Sequence, residues 1–237
     1  MKISVIIPIH NLENEITKCL DSIAAQDFAP TEYEICAILD SCTDNTESIM
    51  RNWHYNHKDI HMNIFYTQCR TPGGARNVGL DMSEGEYVMF IDGDDYLINK
   101  SAMTILYEAV QGHNAVRVMD HEMRGNHVKF SQRLTLWLHF FSRELIGKER
   151  FTNMLLNEDF EFVKRIRRKA EYDEVQVNEP LYYYNFDEER MLQRIEYVIR
   201  KSSERREQGL PPLYVDDEFS VGEIPAEIRG GNILGSK

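Results

Sequence analysis

Glu86-Tyr-Val-Met-Phe-Ile-Asp-Gly-Asp-Asp95 decides the fold: five consecutive apolar residues run straight into three carboxylates within four positions. An unbroken apolar run suits a strand covered on both faces. Glu86 to Ile91 is therefore read as a strand whose carboxyl end presents an acidic cluster. Working upstream, a Gly73-Gly74 turn leads into a helix through Leu80, and Asn63 to Gln68 is a short strand. Thr43 to Tyr55 reads as a helix, with Thr43, Asp44 or Asn45 to cap it. Tyr33 to Leu39 is a second buried strand. Glu13 to Gln26 carries Ile16, Leu20 and Ile23 on one helical stripe, and Ile3-Ser-Val-Ile-Ile-Pro-Ile9 is a β-branched strand. Strand and helix alternating through short links imply an α/β fold with a parallel sheet and right-handed crossovers. Ligands collect outside the carboxyl ends of such strands. The polar residues His10, Asn11, Asp40 and Asp92 to Asp95 all fall there.

Downstream of the acidic cluster, Ser101 to Gly112 reads as a helix and Ala115 to Met123 as a strand. Leu134 to Phe162 reads as mainly helical, with Trp137, Leu138, Phe140 and Phe141 as core or as a wall beneath the active site. Glu174 to Tyr184 reads as one edge strand, because Pro180 argues against a central place. Its Tyr182-Tyr183-Tyr184 run suits alternate packing in a strand. Asp187 to Gln208 is a charged helix, and from Pro211 a Pro/Gly/acid-rich tail wraps the body or stays mobile. No internal repeat is found.

The 237 residues suffice for one sizeable core with a smaller appendage. At 42% hydrophobic and 28% charged, the composition is that of a folded soluble protein. The formal net charge of −12 disfavours a nucleic-acid partner. No apolar run is long enough to span a bilayer, and no basic region precedes the first strand, so a cytoplasmic location is expected. Cys19, Cys36, Cys42 and Cys69 show no metal-type spacing and are read as free thiols.

Asp92-x-Asp94-Asp95 on a rigid strand end has the chemistry to hold a magnesium-type ion together with substrate phosphates. The bland alternative is an acidic turn capping the next helix. Context bears on the choice. Val5-Ile-Ile-Pro-Ile-His-Asn11, Asp40-x-x-Thr43-Asp44-Asn45-Thr46, Gly74-Ala-Arg-Asn-x-Gly-Leu80 and Phe90-Ile-Asp-Gly-Asp-Asp95 together resemble the family 2 glycosyltransferases of the GT-A fold. Four motifs in one order are far more specific than any one of them. The resemblance is close over residues 1 to 100 and looser to about residue 186.

That resemblance implies an inverting, single-sugar hexosyltransferase with a nucleotide-diphosphate-sugar donor and Mn²⁺ or Mg²⁺. It implies a GT-A-type, Rossmann-like, mostly parallel central sheet flanked by helices, with a smaller acceptor-side region and a C-terminal helical tail. Residues 1–100 would be the nucleotide-sugar-binding half, 101–186 the acceptor and catalytic half of the same domain, and 187–237 the C-terminal helix and tail. Pro8, His10 and Asn11 would wall the nucleotide pocket, with His10 stacking on the base. Asp40 would read the base edge, although Leu39 stands where the family commonly has a second polar residue. Arg76 would lie near the base or phosphates, or alternatively form an ion pair at a helix start, and Asn77 would brace the loop. Gly73 and Gly74 would let backbone approach the ligand. Asp92 would bind ribose or metal and Asp94 the metal, while Asp95 would do either or cap the following helix.

Asn157-Glu158-Asp159-x-x-Phe162 resembles the family's second acidic motif. Asp159 would be the general base for the acceptor hydroxyl and Glu158 its orienting neighbour. The Gln-x-x-Arg-Trp motif of the processive members is absent. The expected acceptor is a glycan, a lipid-linked sugar or a protein, the pathway is polysaccharide biosynthesis, and a homodimer is compatible with the reading. Two other functions fit parts of the pattern. One is a non-catalytic nucleotide-sugar-binding protein; the other is a nucleotidyltransferase, against which the lack of a Gly-rich, Lys-bearing loop after the first strand argues.

Overall fold

The computed structural model describes residues 1–118, 122–124, 127–129, 135–185 and 188–210. In chain order the elements are β1 (Ile3–Ile9), α1 (Ile16–Ala24), β2 (Tyr33–Asp40), α2 (Thr46–Asn56), β3 (His61–Thr67), α3 (Pro72–Met82), β4 (Tyr87–Phe90), β5 (Tyr96–Leu97) and α4 (Ala102–Ala109). There follow β6 (Ala115–Val118), β7 (Glu122–Arg124), β8 (His127–Lys129), β9 (His139–Ser142), α5 (Arg143–Ile146), α6 (Glu158–Arg167), β10 (Glu174–Val177), β11 (Tyr182–Tyr183) and α7 (Glu188–Glu207).

The main sheet has seven strands in the order β10-β6-β9-β4-β1-β2-β3. β1 pairs parallel with β2 and β4, and β2 with β3. Only β9 runs against its neighbours, antiparallel to both β4 and β6. The fold is thus α/β with a mostly parallel central sheet, as the sequence implies. A second sheet, β5-β11-β7-β8, lies to one side.

β1 explains why the sheet forms. Ile3, Val5, Ile7 and Ile9 enter one hydrophobic cluster and Ile6 the other, so both faces of the strand are covered. The α1 stripe of Ile16, Leu20 and Ile23, with Cys19, covers the first face. On the opposite face α3 sits down on β1 at Gly79, where a Cβ would come within 2.4 Å of Ile6 Cγ2. At the amino ends of the strands, buried Glu34 accepts from the Ser4 hydroxyl at 2.8 Å and from the Glu84 N–H at 2.6 Å. Burial opposes its charge, but these bonds hold its pKa below the usual glutamate value.

Several expectations are corrected. The 134–162 stretch is not mainly helical: His139–Ser142 is a central strand, with Phe140 buried on one sheet face and Phe141 on the other. A strand covered on both sides has the same continuous apolar signature as a buried helix. Glu174 to Tyr184 is two strands rather than one. β10 does lie at the sheet edge, but β11 belongs to the second sheet, and Pro180 falls in the break. The strand expected from Ala115 ends at Val118, and Met123 pairs with the second sheet. Gly73 and Gly74 sit in the first turn of α3, not in a preceding turn. α2 starts at Thr46, whose N–H donates to Asp44 Oδ1 at 3.0 Å. The tail from residue 211 and the side chain of Leu138 lie outside the described residues.

Candidate active site

The carboxyl ends of β1, β2 and β4 open onto a cleft of about 720 Å³, a size typical of small-molecule sites. Pro8, His10, Asp40, Arg76, Asp92 and Asp94 all line it, so six of the residues named from sequence share one wall system. Backbone geometry marks the same region. Asn11, Ser41 and Arg70, which follow β1, β2 and β3, have φ of 52°, 56° and 56°, and Asn157, before α6, has 63°. Left-handed backbone in non-glycine residues costs free energy and clusters at functional sites.

His10 is fixed by its Nδ1–H, which donates to the Asp40 carbonyl at 2.7 Å. Asn11 is not among the described residues that line the cleft; its Oδ1 accepts the Thr43 N–H at 2.8 Å, which ties the loop after β1 to the loop after β2. Asp44 reinforces that tie by accepting from the Glu13 N–H at 3.1 Å. Gly73 and Gly74 give close approach to neighbouring protein atoms. A Cβ on Gly73 would meet Phe151 at 2.9 Å, and one on Gly74 would meet Cys69 at 2.6 Å. Asn77 braces the same region, with its amide exchanging two bonds with the backbone of Phe151, at 2.9 and 2.8 Å.

Arg76 links the two acidic motifs. Its guanidinium donates to Asp92 at 2.7 Å and to Glu158 at 2.9 Å, across 82 residues of chain. The structure thus contains an ion pair at Arg76, made with partners distant in sequence rather than within its own helix, and Arg76 also lines the cleft. Burial alone would lower the Arg76 pKa, but Asp92 and Glu158 outweigh it and hold the group above its ordinary value. Glu158 is only 3% exposed and reaches the cleft through Arg76. Asp159, half-buried in the first turn of α6, is pushed up to about 6, first by burial and then by the charge of Glu158, with Arg76 opposing. Neither acid is among the described residues that line the cleft.

Among the described residues Asp95 accepts no bond from a helix N–H. Its carboxylate, 1% exposed, accepts the Tyr182 hydroxyl at 2.6 Å and the Asn185 N–H at 2.8 Å. The Tyr182 oxygen in turn accepts the Asp92 N–H at 3.1 Å. This clamp sets the Asp92–Asp95 turn against the Tyr184–Asn185 segment, and both of those residues line the cleft. Tyr184 stacks on Trp137, with centroids 4.8 Å apart, so Trp137 backs a residue that lines the cleft.

Sequence reading missed the α7 side. Arg194, Tyr197 and Val198 line the cleft with Leu155, and Ile195 and Val198 pack beside Leu156. The described part of the 187–237 segment therefore contributes to the cleft. The apolar stripe of α7 says that one face is buried, yet names no partner for it. Among the described residues no three His, Cys, Asp or Glu side chains are grouped to hold a metal, and no helix is long and apolar enough to cross a membrane.

Comparison with known proteins fits this geometry. The family model described as Glycosyl transferase family 2 matches residues 4–170. The poly(ribitol-phosphate) beta-N-acetylglucosaminyltransferase TarS of Staphylococcus aureus is 43% identical over 103 residues, 44% of this chain and 18% of that protein. A poly(ribitol-phosphate) beta-glucosyltransferase of Bacillus spizizenii is 34% identical over 97 residues, 41% of this chain and 15% of that protein. The chain thus spans less than a fifth of these curated relatives. The fold matches S. aureus TarS 1-349 in complex with UDP-GlcNAc at a TM-score of 0.69 and 24% identity, covering 85% of this chain and 66% of that one. It also matches the mannosyltransferase PcManGT from Pyrobaculum calidifontis in complex with GDP-Man and Mn²⁺, at 0.66 and 18%, covering 89% and 66%. The GT-A-type fold expected from sequence is therefore the observed one.

Proposed function

The chain belongs to glycosyl transferase family 2, and from that premise we propose that it moves one hexose, with inversion, from a nucleoside-diphosphate sugar to an acceptor hydroxyl. The observation that carries the proposal is Arg76, which joins Asp92 on the donor side and Glu158 on the base side into one buried network at one cleft. UDP-GlcNAc and GDP-Man in the structural neighbours support a nucleotide-sugar donor. The relatives' names support a polyol-phosphate or other glycan polymer as acceptor.

The donor set suits Mn²⁺ or Mg²⁺. Asp92 and Asp94 supply two carboxylates, and an ion of this kind completes its shell with water and substrate phosphates. Once held there by Asp92 and Asp94, the ion would neutralise charge on the leaving diphosphate. The remaining roles belong to the chain. Asp40 accepts from the base edge, and His10, fixed through its Nδ1, offers its ring face to the base. Asp159 removes the proton of the attacking hydroxyl, while Glu158, held by Arg76, orients the turn that carries it. The anomeric carbon gains the acceptor oxygen as its bond to the diphosphate oxygen breaks, so the nucleoside diphosphate departs with the electron pair.

The test is turnover of UDP- and GDP-sugars with Mn²⁺, with chelator, and in Asp94→Ala. Turnover that chelator abolishes and Asp94→Ala lacks is expected. Undiminished, metal-stimulated turnover in Asp94→Ala would refute the metal assignment. Donor binding with neither transfer nor hydrolysis would favour a binding protein.

A further inference from the structure

Three arginines line the cleft, and they are not equivalent. Arg76 is neutralised by Asp92 and Glu158. Arg70 and Arg194 have no carboxylate partner among the described residues. Arg70 is exposed just past β3, on backbone held at φ 56°. Arg194 projects from α7, and its one hydrogen bond in the described structure is from Nη2 to the Leu155 carbonyl at 2.8 Å. Two guanidinium groups with no carboxylate partner among the described residues, one from each of two distant segments, line a single cavity.

Guanidinium is weakly hydrated, permanently charged and shaped to meet a phosphate through two parallel N–H bonds. We propose that Arg70 and Arg194 are phosphate-binding residues, and that α7 is thereby part of the binding site. The inference rests on the transferase reading, which gives the cleft phosphate-bearing substrates. The recognised group is a phosphate. It can come from the diphosphate of the donor or from a phosphodiester of the acceptor.

The test measures binding of UDP, GDP, uridine and a short glycerol-phosphate oligomer by calorimetry with Mn²⁺. It uses the full chain and the variants Arg70→Gln, Arg194→Gln and Arg194→Lys. A charge-assisted contact is worth enough that each Gln variant should lose roughly ten- to a hundred-fold in affinity for the phosphate-bearing probe. Uridine affinity should stay unchanged, and salt should weaken the wild type more than the variants. Loss for UDP or GDP assigns the donor diphosphate. Loss for the oligomer alone assigns the acceptor phosphodiester. Arg194→Lys should recover part of the affinity, whereas a purely structural role through Leu155 would not track charge. If the wild type binds a nucleoside diphosphate and both Gln variants match it for every probe, this inference is overturned. If the wild type binds no nucleoside diphosphate, the transferase reading itself has failed.

Discussion

Replacing Arg76 with Met should strike folding and chemistry together. The Arg76 and Glu158 side chains are each 5% exposed, and the Asp92 side chain is 26% exposed. Met keeps much of the volume but removes the charge, which leaves the Glu158 carboxylate buried and unpaired. Breaking a buried pair from one side costs about 3–5 kcal/mol. For a chain of this size, each kcal/mol moves the melting temperature by roughly 2–4 °C. The expected fall is therefore roughly 6–20 °C by calorimetry or circular dichroism. Arg76→Met combined with Glu158→Gln removes the stranded charge and should regain at least half of that loss. Arg76 also restrains the Asp159 pKa, so in the single variant that group should titrate above about 6. A drop of under about 1 kcal/mol, or a double variant no more stable than the single, would refute the view that Arg76 neutralises Glu158.

Asp159→Asn keeps shape but cannot accept a proton, so transfer should fall by about 10²–10⁴-fold while donor affinity holds; an active Asp159→Asn beside a dead Glu158→Gln would mean the base is the other carboxylate. With Asp159 pushed up to about 6, kcat/KM should rise as pH passes through that value. Because the folded pKa lies above the unfolded one, the group's stabilising contribution is full below about pH 4. It is lost as pH climbs to about 6. Urea titrations at pH 4 and 7 should find that decline in the wild type and not in Asp159→Asn. Tyr182→Phe deletes the hydroxyl shared by Asp95 and the Asp92 N–H. It should raise the Mn²⁺ concentration for half-maximal turnover several-fold, and an unchanged metal requirement would remove Tyr182 from any role in setting the acidic turn.

How much of this was legible in the sequence depended on how local each signal was. β1, β2 and β4 announce themselves because each is a short, mostly apolar run ending near a polar residue, and those ends line the cleft. β9 is as apolar, but Trp137 to Phe141 has no period to separate strand from helix. The Arg76 bridge was only one of two open readings. Its partners stand 16 and 82 residues away, and no local spacing marks a long-range ion pair. Arg194 was hidden for a related reason: a charged helix shows its buried stripe without naming what the stripe packs on.

The place of β9 has a further consequence, for the order in which the chain assembles. β1, β2, β3 and β4 are complete once Phe90 has been made, but the free edge of β4 is not closed by the next strand in sequence. β6 pairs with β9 and β10, so β4 waits for His139–Ser142. Until then a nascent chain carries an open parallel-type edge beside Ile91 and the acidic turn, the kind of surface that recruits other strands. β9 then enters as an antiparallel strand between β4 and β6, and β10 adds to the far edge of β6 afterwards. Because Glu158 follows β9 in the chain, the Arg76 bridge can close only after β9 has been made. Arg76 should therefore contribute little to the rate of folding and mainly slow unfolding.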